Sequence, residues 1–582
     1  TGKGSKTVTM NALKNNRSET LENYRLTLEY TVNPTWYVVQ ALPSMLPAEA
    51  NNALGLITSY YANTLSAGIG KKNPRIETAI KMWKAQRPES SEPALLKNES
   101  LKSILISETP WVLEATDMAQ RMSRLENLFD ENRIAREQQA ALNKLQYLQT
   151  PSGAWSWFRG MSPSTAVTMQ VLTYLSRLNT LGFVEYGEPV KNMQVKALSY
   201  LDKEILKPRK EPRTSFTPFD VDYLYVRSAY RDIPLAGETL SQHKAMMDSL
   251  LKCWPRLGLG AKAKAAVAAF RYGFVEEAQA MVESLRQYAT TTPQMGMFWD
   301  TSRLSASNPE GAIRTHTLIA QAFAEVDPRA SETEAMKRWL LMQKQTQDWG
   351  NTVATADAVY TLLSTGDDWL AVDKETVSLL WGGKPVDAVA DDPFSGYIQQ
   401  SKEAADIVPS DATVTVSSPV THPSWGALYW QYFENFDQVE RAGSGLTLSK
   451  QLLVERVVEG KTKWVPLDKQ EIVPGDKVRV SLILSADRDM EFVYLKNQRA
   501  ACFEPTEQLS GYKYKNGVGY YQQNQDAVTQ FYFDFLPKGS FEITYDLWVD
   551  RSGTYHNGIS TVQCLYAPQY AGQAPGEVIV VK

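Results

Sequence analysis

Gln149-Thr150-Pro151-Ser152-Gly153-Ala154-Trp155 is the stretch that decides between the folds open to this chain. Proline and glycine mark a tight turn, and an indole just after the glycine is placed to pack over a helix end. The turn lies among segments with helical spacing. Val167, Val171, Tyr174, Leu178 and Leu181 make one apolar stripe, and Ala358, Val359, Leu362 and Leu363 make another. This pattern sets in at about Asn33 and holds to about Asp373, in roughly thirteen segments parted by short turns such as Asn308-Pro309-Glu310-Gly311. Repeated helical hairpins of similar length build either a solenoid or an α/α toroid.

The turn chooses between the two. Its glutamine, glycine and tryptophan are similar to the Gln-x-x-x-Gly-x-Trp motif that staples helix ends in toroidal terpene cyclases, and Gln347-Asp348-Trp349-Gly350-Asn351-Thr352 is a weaker echo. As architecture the two turns favour the toroid; as function they read as turn-plus-aromatic packing.

On either side of the helical region the period changes to two. Thr7-Val8-Thr9-Met10 and Tyr24-Arg25-Leu26-Thr27-Leu28-Glu29-Tyr30 alternate like half-buried strands. Glu375 to Leu380 and Ala412 to Val416 read as strands around the loop-like Asp391 to Gly396. From Gly445 the chain is almost wholly β: Lys477 to Leu482, Phe531 to Phe535 and Phe541 to Tyr545 alternate, divided by Pro474-Gly475-Asp476 and Pro537-Lys538-Gly539. An antiparallel sandwich is the expected solution. The expected order is therefore a multidomain α + β chain. Residues 1–32 give a β segment of a small domain, 33–372 an α/α toroid inserted in it, 373–444 the return of the small domain, and 445–582 a β-sandwich.

Composition excludes several functions. A chain of 582 residues with a formal net charge of −4 and no long basic run lacks the electrostatic footprint of a nucleic-acid binder. No window reaches the roughly 20 apolar residues of a membrane span, and the start, Thr1-Gly2-Lys3-Gly4-Ser5, has no signal-peptide character and no initiator Met. The expectation is an internal or processed fragment. Cys253, Cys502 and Cys564 rule out a disulfide scaffold or a cysteine-rich zinc site, while leaving a Cys502–Cys564 bond open.

A second stretch carries a family resemblance. Ala41-Leu42-Pro43 and Ser59-Tyr60-Tyr61-Ala62-Asn63 resemble the flanks of the internal thioester of bacterial α2-macroglobulins, where Ala-Leu-Pro-Tyr runs into Pro-Tyr-x-Cys-x-Glu-Gln and closes on Tyr-Tyr-Ala-Asn. In that motif a cysteine thiol condenses with a glutamine amide, expels ammonia and leaves a strained acyl group open to nucleophiles. Laid on this chain without a gap, the four positions are Asn52, Ala53, Leu54 and Gly55. Asn52 has no thiol and Gly55 no side-chain carbonyl, so the expectation is that no thioester forms. The tyrosine-rich lead-in is also replaced, by Pro47-Ala48-Glu49-Ala50. Further segments are similar to the same family: Asn33 to Tyr37, Glu108 to Leu113, Gly153 to Phe158, Trp425 to Trp430, Ala500 to Pro505 and Asn557 to Thr561. What the resemblance implies for the fold is a thioester-type domain inserted in a small β domain, followed by a receptor-binding-type macroglobulin domain.

Other candidate chemistry is weak. His243, His316, His422 and His556 show no ligand spacing, so no metal is expected. Asp220-Val221-Asp222-Tyr223 resembles the squalene-cyclase acid motif without its final carboxylate, and reads as a solvated or cap-forming acidic pair. Leu257-Gly258-Leu259-Gly260 lacks the third glycine, strand and acid of a dinucleotide loop, and no nucleophile elbow appears. No catalytic, cofactor or metal residue is therefore assigned. Trp155, Trp157 and Phe158 cannot all face one core from a single turn; helix-end packing leads, and an exposed remainder is a candidate contact surface.

The resemblance implies an extracytoplasmic protein, periplasmic or at the cell surface and lipid-anchored through a missing N-terminus. It would be a protease trap or inhibitor whose bait lies upstream and whose capture is non-covalent. Its partners would be host or competitor proteases, another envelope protein, and its own upstream domains. Two other classes stay open: an adhesive or structural envelope protein, and an enzyme using the toroid cavity as terpene cyclases and glycan-processing barrels do.

Overall fold

The computed structural model describes residues 4–31, 38–39, 41–46, 52–74, 76, 128–207, 215–235, 237–292, 295–299, 311–343, 349, 351–366, 377–386, 397–419, 424–565 and 570–582. The segments Asn33 to Tyr37, Pro47 to Ala50, Glu108 to Leu113, Asn308 to Glu310 and Asp391 to Gly396, with Gln347, Asp348, Gly350 and His422, lie outside them.

Buried apolar residues fall into three clusters: a large one within residues 38–362, a small one joining residues 13–30 to 377–416, and a third within 446–581. The small cluster explains how the two ends of the helical stretch meet. Gly4–Thr9 pairs antiparallel with Thr413–Ser418, which continues to Ser378–Trp381. Glu22–Thr31 lies between Tyr397–Glu403 and Trp425–Phe433. Leu26, Leu28 and Tyr30 alternate into this core, as period-two patterning requires. Of these strands, Tyr397–Glu403 and Trp425–Phe433 were not legible: neither strand shows a clean apolar alternation.

Between these sheets the described residues hold eleven helices: α1 Ala53–Lys72, α2 Glu131–Leu148, α3 Thr165–Thr180, α4 Glu188–Ile205, α5 Pro218–Ser228, α6 Glu238–Cys253, α7 Leu259–Arg271, α8 Val275–Gln287, α9 Gly311–Val326, α10 Ala330–Gln343 and α11 Thr352–Ser364. Packing alternates. α1 packs on α3, α3 on α5, α5 on α7, α7 on α9 and α9 on α11, while α11 and α1 both meet the short helical turn Leu42–Met45. These odd-numbered helices are buried nearly all round: on α7 Lys262 to Ala269 are continuously buried, and on α11 Ala354 to Leu362. The even-numbered helices bury one stripe, as on α2, where only Ile134, Ala141 and Leu145 are enclosed. One departure from the helical pattern is a hairpin, Thr290–Thr292 with Gly296–Phe298.

Residues 442–581 form a seven-stranded and a five-stranded sheet that share the third core. Their ladders are antiparallel, and the strands read from sequence fall inside Lys477–Ala486, Val528–Leu536 and Gly539–Val549. Cys502 and Cys564 are both buried and are not joined by a disulfide, so the bond left open from sequence is absent.

Candidate functional site

Helix α1 begins at Asn52 to Gly55, the residues that the sequence resemblance sets against the thioester motif. Asn52 is its N-cap, in extended backbone (φ −127°, ψ 166°), and its Oδ1 accepts the Gly55 N–H at 2.8 Å. The Asn52 carbonyl takes the Leu56 N–H at 2.9 Å, and the Ala53 N–H donates across to the Trp157 carbonyl at 3.1 Å. The unpaired N–H groups of a helix start are thus met by a cap and by a neighbouring loop. The two residues that the sequence resemblance sets at the bond-forming positions are joined here by a capping hydrogen bond. Ala53, Leu56 and Ile57 are buried, whereas Asn52, Leu54 and Gly55 are half-buried. The Leu54 carbonyl also accepts from the Thr58 hydroxyl at 2.7 Å. Asn52 was read only for what it lacks; its capping role was missed, although an asparagine immediately before a helical run is a cap signal.

The loop that touches this start is the aromatic turn. Gly153 has φ +94°, and a Cβ there would lie 2.3 Å from the Lys196 carbonyl oxygen, so only glycine fits. Gln149 Nε2 donates to the carbonyls of Gly153 (2.8 Å) and Met193 (2.9 Å), tying the turn to α4. Trp155 is fully buried. Its Nε1–H caps the Leu145 carbonyl at the end of α2 (2.9 Å), and its N–H donates to Thr168 Oγ1 (2.9 Å). Trp349 repeats the scheme, with Nε1 on the Leu340 carbonyl (2.7 Å) and N–H on Thr355 Oγ1 (3.0 Å). A third case, Trp299 on the Leu285 carbonyl (2.8 Å) after Gly296 at φ +77°, escaped sequence reading because its glycine stands three residues away instead of two.

The turn's remaining aromatics separate from Trp155. Trp157 is 44 % exposed, Phe158 48 % and nearby Met161 51 %, while Arg159 stacks on the Tyr147 ring at 4.2 Å. Trp155 is therefore packing, and Trp157 with Phe158 forms an exposed apolar rim directly beside the α1 start.

Inside the odd-numbered helices lies a polar cluster that no motif announced. Arg177 of α3 pairs with Asp357 of α11, both almost wholly enclosed, and Arg314 of α9 reaches the other Asp357 oxygen at 2.8 Å. Burial pushes the Asp357 carboxyl up, but the two guanidinium groups more than offset this and hold it below the usual carboxylate range. Tyr61 stacks on Tyr174 at 4.7 Å, and Tyr225 donates to Gln321, which donates to Thr361. The only sequence signal was a charge inside an apolar run, at Arg177 and Asp357.

The other candidates take structural roles. Asp220 closes a capping box with Thr217 at the start of α5, as the cap-forming reading has it, whereas Asp222 forms an ion pair with Lys264 at 2.6 Å. Gly258 is the N-cap position of α7. His243 lies against Tyr272 and Tyr223, His316 against Trp339 and Trp299, and burial lowers both imidazoles to about 4, the former with help from Arg227. His556 stacks on Phe436. Among the described residues no group of three or more His, Cys, Asp or Glu is placed to hold a metal ion.

Comparison with known proteins bears on the β-rich end. Residues 445–569 match the family described as the bacterial alpha-2-macroglobulin MG10 domain. No curated protein matches the chain. Solved structures similar to it include native alpha-2-macroglobulin of Escherichia coli from domain MG7 to the C-terminus, at 12 % identity and TM-score 0.38, covering 100 % of this chain and 80 % of that one. The trypsin-activated Escherichia coli protein is 13 % identical at TM-score 0.44, with 100 % and 35 % covered, and the Salmonella protein reacted with methylamine is 13 % identical at 0.36, with 100 % and 33 % covered. The chain thus spans about a third of those two longer proteins.

Proposed function

We propose, on the premise that this chain belongs to the bacterial α2-macroglobulin family through its MG10 domain, that it is the C-terminal part of a protease trap that works without a thioester. The observation that carries the reading is the Asn52 Oδ1 to Gly55 N–H bond: an ordinary capped helix start stands where the resemblance would put the reactive groups. Capture would then rest on enclosure by upstream domains, with trypsin-like or elastase-like proteases as partners, by analogy with the Escherichia coli protein activated by trypsin and by porcine elastase. The circuit of odd-numbered helices, returning through Leu42–Met45, supports an α/α toroid over 33–372. The strand pairings support a small β domain shared by 1–32 and 373–444, and the domain match supports a sandwich from 445. An extracytoplasmic place follows from the same family; among the described residues no helix is long and apolar enough to cross a membrane.

The test uses the full-length protein. Methylamine should add no mass, and a protease mixed with the protein should keep activity on a small peptide substrate while losing it on a large protein substrate. The complex should dissolve in denaturant without a covalent adduct. A methylamine adduct within residues 41–63 or a denaturant-stable conjugate would overturn the reading. The exposed Trp157–Phe158 rim favours a second reading, an envelope binding module, and that one predicts no protease-induced change in shape.

A further inference from the structure

We propose that the outer face of the seven-stranded C-terminal sheet is a platform for a neutral polysaccharide chain, with Tyr512 and Tyr514 as its stacking residues. The platform stands apart from the trap reading and from the Trp157–Phe158 rim. Four tyrosines occupy directly paired positions on consecutive strands. Tyr494 of Met490–Gln498 faces Tyr532 of Val528–Leu536, Tyr532 faces Tyr521 of Val518–Gln525, and Tyr521 faces Tyr512 of Gly511–Lys515. Residues directly opposite one another share a sheet face, and their chain neighbours take the other. Val493, Leu495, Tyr520, Phe531 and Phe533 lie in the core, so the tyrosine row runs along the outside. Its rings touch in pairs, Tyr494 with Tyr532 and Tyr512 with Tyr521, each at 5.0 Å.

Exposure rises along this row. Tyr494 is buried, Tyr532 and Tyr521 are half-buried, and Tyr512 is 78 % exposed. Tyr514, two residues further on the same face, is 79 % exposed and lies beside Gly519, which has no side chain to cover it. Gly511–Lys515 is the last strand of its sheet, so no further strand shields either ring. These are the two most exposed aromatic side chains among the described residues. Rings gathered in the open forgo the stabilisation that burial gives, and such a patch marks a contact site.

The groups around the rings select the ligand. Lys513 and Lys515 alternate away from the face: Lys513 pairs with Glu507, and Lys515 Nζ donates to Thr544 Oγ1 at 3.0 Å. Between the tyrosines the polar groups are uncharged. The Tyr532 hydroxyl donates to Gln530 Oε1 at 3.0 Å and more weakly to Gln523 Oε1 at 3.5 Å. Charge stands only at the margins of this part of the face, as Lys496 opposite Gln530 and Asp534 two residues beyond Tyr532. Among the described residues, Gln523 Nε2 and the hydroxyls of Tyr512, Tyr514 and Tyr521 have no hydrogen-bond partner. A pyranose meets both demands. Its polarised C–H groups suit the negative face of an aromatic ring, and its hydroxyls suit amides and phenols. Alternate strand residues stand about 6.8 Å apart, so Tyr512 and Tyr514 engage different sugars of one chain, and a polymer gains over a monosaccharide. An extended peptide would instead pair with the strand edge and leave the rings unused.

The experiment is native gel electrophoresis of the full chain through gels containing galactomannan, arabinoxylan, mixed-linkage β-glucan or amylopectin, with polygalacturonate as the anionic probe. At least one neutral polymer should retard the protein. Tyr512→Ala and Tyr514→Ala should each weaken that retardation about tenfold; both side chains are exposed, so the fold survives the change. Tyr512→Trp keeps a ring and should bind at least as well as the wild type, and Lys513→Ala, on the opposite face, should leave retardation unchanged. No retardation by any neutral polymer, retardation by polygalacturonate alone, or retardation that both alanine variants retain would overturn the proposal.

Discussion

Replacing Asn52 by alanine tests the reading of the α1 start most directly. The perturbation removes one acceptor. The Gly55 N–H, now held at 2.8 Å, would have no protein partner, while the Ala53 N–H keeps the Trp157 carbonyl and the Leu56 N–H keeps the Asn52 carbonyl. Loss of an N-cap costs about 1 kcal/mol, within a range of about 0.5–2. Asn52 and Gly55 are half-buried, so water replaces the lost acceptor only in part, which places the expected cost at about 1–2 kcal/mol. A chain with several cores has no single unfolding free energy, so the assay should be local: hydrogen exchange of a peptide covering residues 53–60. The cost corresponds to exchange roughly 5- to 30-fold faster at the start of α1. Asn52→Asp keeps the acceptor and puts a negative charge at the helix N-terminus, so it should exchange like the wild type or slower. If Asn52→Ala changes exchange less than about twofold, or if Asn52→Asp behaves like Asn52→Ala, the capping account is wrong. The same figures bear on rebuilding the motif with Asn52→Cys, Leu54→Glu and Gly55→Gln. The cap is lost, but replacing glycine in a helix returns up to about 1 kcal/mol, so the triple variant should fold and can be assayed for ammonia loss.

Leu54→Ala should cost about 1 kcal/mol, because Leu54 is half-buried, whereas Leu56→Ala, 4 % exposed, should cost about 2–5; equal losses in urea titrations would contradict this placement. Trp155→Phe leaves the Leu145 carbonyl with only the Gln149 N–H at 3.1 Å and should destabilise the α2–α3 region by about 0.5–1.5 kcal/mol, seen as faster exchange at residues 141–148. Acid should weaken the helical body through His243 and His316. Both are held neutral to about 4 in the folded chain against about 6.5 when unfolded, so the unfolded state binds more protons between those values. Stability is then complete above about 6.5 and lost as pH falls towards 4, by at most about 3 kcal/mol per histidine. Thermal midpoints that do not fall between pH 7 and pH 5, or a His316→Gln variant with an unchanged slope, would refute it.

The aromatic turn shows how far local sequence carries. Gln149, Gly153 and Trp155 act through neighbours close in the chain or one helix away, so their types and spacing already state a turn that caps a helix end. Period-two alternation likewise located the strands of the C-terminal sheets, since each strand buries one face against a single core. Trp157 and Phe158 were legible as a problem but not as an answer: sequence shows that three aromatics compete for one core, and only the fold shows that Trp155 takes it.

What the sequence determined by itself is whatever depends on covalent chemistry and local periodicity. Without a thiol at position 52 or a side-chain carbonyl at 55 those two positions cannot be joined by a thioester, whatever the fold; and stripes of period 3.6 and 2 mark where helices and strands lie. What only the tertiary structure decided is how distant residues share space. Asn52 meets the Trp157 loop about a hundred residues on, Arg177 meets Asp357 across 180 residues, and Gly4–Thr9 pairs with Thr413–Ser418. The physical reason is that burial and charge pairing depend on which surfaces the chain brings together, and those contacts carry no local periodicity to be read in advance.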